Sequence, residues 1–276
     1  MPLNNRLLNS ALFIVHEEEV ECVIIDTKKK TATAREKLPS GDALSDSIIS
    51  FIRKYDISNT IPLRMITEYS SHNMQVFGEY HGFPQSFFLK HGFRIRPYSI
   101  ADILGYAQWN RMGASMNDSL AKRKWASDSR ILVVYVKENT PPVVSLVDNG
   151  FIVDGICLDE DVYYVSHLTR EALTDGMMRD VIIDSFAEAM EKRFHPSHLF
   201  LIGVEEIKKN IGTMKVLSLP IIELGDALIY GCAALDNKSK GNPDFMIPSD
   251  NDFKDVFVTI TKEDGTDVNI PIFQHR

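Results

Sequence analysis

A three-strand meander followed by a helix and a further strand occurs twice in this chain, and few architectures accommodate that recurrence. In the first half, residues 11–15 are an apolar run, 17–19 a turn of three glutamates, and 20–25 alternate before becoming wholly apolar. Residues 26–30 make a second turn, and the Thr-Ala-Thr-Ala alternation within 31–38 suits a third strand. Helix signals follow at Ser40-Gly41-Asp42, with apolar Leu44, Ile48, Phe51 and Ile52 at helical spacing, and a strand is expected at 61–66. The second half predicts strands at 131–136, 143–147 and 151–158, the last two joined by the hairpin signal Asp148-Asn149-Gly150. A long helix over 170–193 carries Leu173, Met177, Val181, Ile182, Phe186, Ala189 and Met190, ends before Pro196, and leads to a strand at 199–203. Identity between the halves is negligible, so what repeats is architecture.

The intervening segments complete the division. Phe77, Phe83, Phe87, Phe88 and Phe93 read as packing residues in short helices rather than as a ligand-stacking box. Residues 93–97 are short and extended, and 100–109 form a helix with Ser99 as its N-cap. The polar stretch 110–129 reads as the boundary between the halves, and 236–244 as a linker. Residues 256–261 and 267–273 flank Glu263-Asp264-Gly265 as a hairpin, either a separate arm or an extension of the second sheet. The expected organisation is 1–115, 116–240, and a linker with hairpin over 241–276.

Another constraining stretch is Gly225-Asp226-Ala227-Leu228-Ile229-Tyr230-Gly231-Cys232-Ala233-Ala234-Leu235. Ala227, Gly231 and Ala234 fall on one bare helix face that lets a neighbouring backbone come close. A glycine inside a helix costs about 1 kcal/mol against alanine, so it needs a packing or ligand reason. The expected neighbour is the strand at 199–203.

Composition narrows the function classes. The net charge of −8 disfavours nucleic acid and anionic membranes as main partners. The basic clusters Lys28-Lys29-Lys30 and Lys122-Arg123-Lys124 read as solvated turns. Cys22, Cys157 and Cys232 form no Cys-x-x-Cys pair, which predicts reduced thiols in a cytoplasmic or nuclear protein. The apolar run 11–15 is too short for a signal or membrane segment. None of the phosphate-loop, dinucleotide, serine-hydrolase or zinc-protease motifs occurs. His16 with Glu17–Glu19 reads as an acidic turn, and His195 and His198 as part of a helix terminator, so no metal site is expected. Lys137 and Glu138 are the one candidate acid–base pair, and Met177, Met178 and Met190 read as core.

Three stretches carry a resemblance to a known superfamily. Residues 98–106 (Tyr-Ser-Ile-Ala-Asp-Ile-Leu-Gly-Tyr), 166–170 (Ser-His-Leu-Thr-Arg) and 226–235 resemble, in order and spacing, the helix-opening and closing motifs of the actin, sugar-kinase and heat-shock-chaperone ATPases. The closest likeness is to the nucleotide-binding domain of the seventy-kilodalton chaperones, over about residues 11–235. The resemblance implies an α/β chain of two related halves with the ribonuclease-H-like fold, each a mixed sheet with helices, plus the C-terminal β-hairpin.

In that superfamily two phosphate hairpins and a glycine-rich adenosine loop hold ATP. The first hairpin motif, Asp-x-Gly-Thr-Thr, aligns with Val15-His16-Glu17-Glu18-Glu19. Its glutamates would repel phosphate, by about 1 kcal/mol per like-charge pair in water and more in a cleft. The second aligns with Tyr135-Val136-Lys137-Glu138-Asn139-Thr140, in which Thr140 alone is kept. The adenosine loop aligns with Gly203-Val204-Glu205-Glu206-Ile207 and keeps one glycine. The joint erosion predicts a pseudo-ATPase that binds no cofactor and acts through a protein partner. The alternative is an ATP-binding ATPase with a non-standard magnesium-nucleotide site, in which Lys137, Asn139 and Thr140 contact phosphate while Gly203 and Gly231 line the pocket.

Overall fold

The computed structural model describes residues 9–16, 18–59, 63–67, 85–135, 143–153, 195–203, 210–211, 214–219, 224–238, 245–246, 257–261 and 265–271. The chain forms two compact units, residues 1–112 with 222–244 and residues 113–221 with 245–276.

The first unit is built on a five-stranded sheet. Strands β1 (Asn9–Val15), β2 (Glu19–Asp26) and β3 (Thr31–Pro39) make an antiparallel meander, and β4 (Leu63–Thr67) and β5 (Ile95–Ser99) join it parallel to β1, in the order β3-β2-β1-β4-β5. Residues 11–15 of β1 and 22–25 of β2 are apolar without a break because both faces of the sheet are covered there. Ala11, Phe13, Val15, Val20, Cys22 and Ile24 face helix α1 (Leu44–Lys54), where Ile48, Phe51 and Ile52 complete one core. Phe88 of the short helix α2 (Gln85–Lys90) seals it, with Phe87 and Phe93 packed at its edge; Phe77 and Phe83 lie outside the described residues. β3 is the edge strand and alternates strictly between exposed and half-buried, as one covered face requires.

The opposite face, carrying Leu12, Ile14, Arg64 and Ile66, belongs to helices α3 (Ile100–Ser115) and α5 (Leu224–Lys238). Residues 100–107 of α3 are all buried, so this helix is apolar around its whole circumference there. Its start is a reciprocal cap: Ser99 Oγ accepts from Asp102 N at 3.1 Å, and Ser99 N donates to Asp102 Oδ2 at 2.8 Å.

The polar stretch after residue 109, read as the boundary between the halves, is mostly helical. α3 continues to Ser115, and α4 (Ser119–Ser127) follows three residues later. Asp118 caps α4, its Oδ2 accepting from Ala121 N at 2.8 Å.

The second unit repeats the first unit's strand order. β6 (Arg130–Tyr135), β7 (Val143–Asp148) and β8 (Phe151–Val153) are the meander, with β9 (His198–Ile202) and β11 (Met214–Leu219) parallel to β6. The full order is β10-β11-β9-β6-β7-β8-β12, with the two-residue strands β10 (Asn210–Ile211) and β12 (Phe245–Met246) added at the edges. Asn149 and Gly150, with φ of 52° and 79°, form the expected left-handed two-residue hairpin turn. The helix expected over 170–193 lies outside the described residues. Among the described residues β13 (Phe257–Thr261) and β14 (Asp267–Pro271) pair only with each other, as a two-stranded sheet.

Candidate functional site

In sheets of this kind ligands gather outside the carboxyl ends of the parallel strands. In the first unit those ends are Val15, Thr67 and Ser99, brought side by side by the pairings of Ile14 with Ile66 and of Thr67 with Ser99. The capped start of α3 lies at the same edge.

In the second unit the corresponding ends are Tyr135 and Ile202, paired in parallel register. Residues 136–142 therefore leave β6 one strand, about 4.8 Å, from the point where β9 gives way to Gly203. Gly203 has φ of 90°, a backbone that side-chain-bearing residues rarely adopt and that lets a chain turn sharply out of a strand. Lys137, Asn139 and Thr140 belong to the connection that starts there and lie outside the described residues, as does Glu138. Gly203 and the start of this connection thus share one edge.

Gly231 has a different place. It sits in the first unit, where a Cβ would fall 2.6 Å from the carbonyl oxygen of Ile103 and 3.2 Å from Ala107 Cβ. The bare face formed by Ala227, Gly231 and Ala234 is buried as expected, but its partner is α3 and not the strand at 199–203. Gly231 is consumed by backbone-to-backbone packing, which is why no larger residue fits.

The two described glutamates of the first hairpin do not form a repulsive wall. Glu19 pairs with Lys37, and Glu21 with Arg35 at 3.3 Å, between β2 and β3 on the face that carries Leu12 and Ile14. Glu18 is exposed and Glu17 lies outside the described residues. With Glu19's charge neutralised and Glu18 in solvent, the electrostatic objection to a bound phosphate loses its footing at these two residues. Among the described residues no group of three His, Cys, Asp or Glu could hold a metal ion. His198 lies between Trp125 and Phe200 and shares a 2.8 Å hydrogen bond with Ser197; burial, then the Lys215 charge, lowers its pKa. A shallow groove of about 380 Å³ beside α1 and β3 is lined by Glu36, Leu38, Phe51 and Lys54, where Glu36 is already bonded by Lys54 and Tyr55.

Sequence reasoning missed the most buried charge. Arg64 of β4 donates through Nε to Asp236 Oδ1 at 2.7 Å and through Nη1 to the hydroxyl of Tyr98, and the side chains of Arg64 and Asp236 are each only 1% exposed. The signal was available: an arginine between Leu63 and Met65 in an apolar strand requires a buried carboxylate partner.

No protein family and no curated protein matches the sequence. Solved structures do match. An inorganic polyphosphate/ATP-glucomannokinase from Arthrobacter sp. strain KM aligns with 83% of this chain and 99% of its own, at TM-score 0.52 and 14% identity. A putative N-acetylmannosamine kinase from Listeria monocytogenes aligns with 84% of this chain and 100% of its own, at TM-score 0.49 and 9% identity. A ROK family glucokinase from Streptomyces griseus aligns with 84% and 100%, at TM-score 0.47 and 9% identity. With two successive sheets of the same order, the chain has the fold of the actin-like ATPase and sugar-kinase superfamily.

Two expectations are corrected here. The matched structure at TM-score 0.52 is a sugar kinase, and the expected closeness to the seventy-kilodalton chaperones is not supported. The reading as an inactive, chaperone-like pseudo-ATPase that is not an enzyme falls with it. Its electrostatic argument fails at Glu18 and Glu19, and the second phosphate loop and residues 204–207 lie outside the described residues, so the structure shows no lost site there. No helix among the described residues is long and apolar enough to cross a membrane.

Proposed function

We propose that this chain is a kinase that transfers a phosphoryl group from a nucleoside triphosphate to a sugar hydroxyl. The observation that carries the reading is the shared edge of the second sheet, where the connection bearing Lys137, Asn139 and Thr140 starts beside Gly203. Phosphoryl transfer asks little covalent chemistry of a protein: it needs donors and positive charge around the phosphates, and an acceptor oxygen held in line. Lys137 supplies the charge, Asn139 and Thr140 hydrogen-bond donors, and the turn at Gly203 a close backbone approach. The acceptor oxygen bonds to the terminal phosphorus as the bridging bond to the leaving diphosphate breaks. The glucomannokinase of similar fold suggests glucose and mannose as first acceptors to try, and ATP or polyphosphate as donors.

Calorimetric titration with magnesium and ATP tests the donor site. Saturable binding is expected, weakened about tenfold or more by Lys137→Ala, the value of one charge-assisted contact. Equal binding by Lys137→Ala and the parent protein contradicts the assignment of this connection.

A further inference from the structure

The first unit carries a second set of positive groups at the edge opposite the carboxyl ends. The turn between β2 and β3 is there, because Asp26 pairs with Asn9 at the start of β1. α3 runs about 24 Å from its cap at one edge toward the other, bringing Asn110 and Arg111 to the same region. The ring of Tyr230, on α5, joins the two elements. Lys30 Nζ lies 4.2 Å and Arg111 Cζ 4.7 Å from its centroid, and its hydroxyl donates to Asn110 Oδ1 at 2.8 Å.

The turn is fixed for this purpose. Asp26 Oδ1 accepts from the backbone N–H of both Lys28 and Lys29 at 3.0 Å, and Lys30, with φ of 57°, donates its N–H to the Asp26 carbonyl at 2.8 Å. Lys28 and Lys29 are exposed, and Lys29 is 3.8 Å from Asp26. Among the described residues no carboxylate lies within ion-pairing distance of Lys28, Lys30 or Arg111. A chain of net charge −8 thus gathers, around one aromatic ring, cations that no described carboxylate pairs, and they repel each other unless an anion intervenes.

We propose that Lys30 and Arg111, held on the ring of Tyr230, together with Lys28 of the same turn as Lys30, form a binding site for a short chain of phosphates, separate from the donor site. Several linked anionic groups suit cations spread over a turn and a helix better than one phosphate does. The fork of Arg111 can bond two oxygens of one phosphate while the lysines meet the next as point charges. The ring orients both cations and leaves their outer hydrogens to the ligand.

The test is calorimetric titration of the whole protein with inorganic tripolyphosphate, with ATP and with inorganic phosphate as separate arms. Tripolyphosphate is expected to bind saturably to Lys137→Ala protein, and more weakly as salt rises. Lys30→Asn combined with Arg111→Gln is expected to weaken it about tenfold or more, asparagine being suited to the left-handed backbone at 30. Lys28→Gln, on the exposed turn, serves where the double variant does not fold, and is expected to weaken binding severalfold. Binding of ATP but not of tripolyphosphate to Lys137→Ala assigns the patch to a nucleotide and overturns the proposal. So does tripolyphosphate affinity that is unchanged in either patch variant, or a heat no greater than that of inorganic phosphate.

Discussion

Two glycines of α5 make opposite demands on an added methyl group. At Gly231 a Cβ falls 2.6 Å from a backbone carbonyl that cannot rotate away, whereas at Gly225 it meets nothing within 4 Å. Gly231→Ala is therefore expected to destabilise the protein by about 1–3 kcal/mol despite better helix propensity. Gly225→Ala is expected to stabilise it by up to about 1 kcal/mol; paired urea denaturation curves read both. Cysteine chemistry belongs to the same scale. Cys22 is buried among β1, β2 and α1, and burial, then the carboxylates of Glu36 and Glu21, pushes its thiol from 9.0 up to about 12. Burial raises the Cys232 thiol too. The folded state holds the Cys22 proton more tightly than the unfolded chain does. This contribution to stability is intact below pH 9 and is lost as pH rises toward 12. Native protein is expected to leave Cys22 and Cys232 unlabelled by iodoacetamide at mildly alkaline pH, and unfolded protein to label both, as peptide mapping would read.

Among the elements, α5 is tied to the sheet by a buried ion pair. Its last turn places Asp236 against Arg64 in β4, and Arg64 in turn holds Tyr98 in β5, so two strands and a helix share one buried ion pair. Removing one partner leaves the other charge buried and unpaired, which costs about 3–5 kcal/mol. Asp236→Ala is expected to show that loss in chemical denaturation, while Arg64→Met combined with Asp236→Leu recovers most of it. A double variant as unstable as Asp236→Ala would show that charge burial is not what binds α5. Element positions were largely legible in the sequence where period and turn chemistry agreed. The glutamate turn, the Asp148-Asn149-Gly150 hairpin and the Ser99 cap all lie where alternation and capping put them. α4 was not legible, because its cap residue also reads as a loop and its helix has no buried face to give it a period. The partner of α5 was hidden for another reason: a bare helix face says that something comes close and does not say what.

For the whole molecule, the recurrence of meander, helix and strand carried most of the fold, since the strand order of the first unit returns in the second. Function was less legible because sequence alone gives charges without directions. Three glutamates in a phosphate-loop position suggest repulsion, until Glu19 is seen spent on Lys37. The proposal for the molecule is therefore a sugar kinase. Its carboxyl-edge connection and the patch around Tyr230 are expected to bind phosphates independently, and loss of one should leave the other.

The most direct test is phosphorus NMR of purified protein incubated with magnesium, ATP and glucose or mannose. A sugar phosphate resonance appearing with that of ADP, dependent on the sugar and reduced in Lys137→Ala, is the predicted result. Substrate concentrations should span the usual range of about 1 μM to 1 mM for KM. No sugar phosphate with either sugar, together with no saturable ATP binding across that range, would contradict the account.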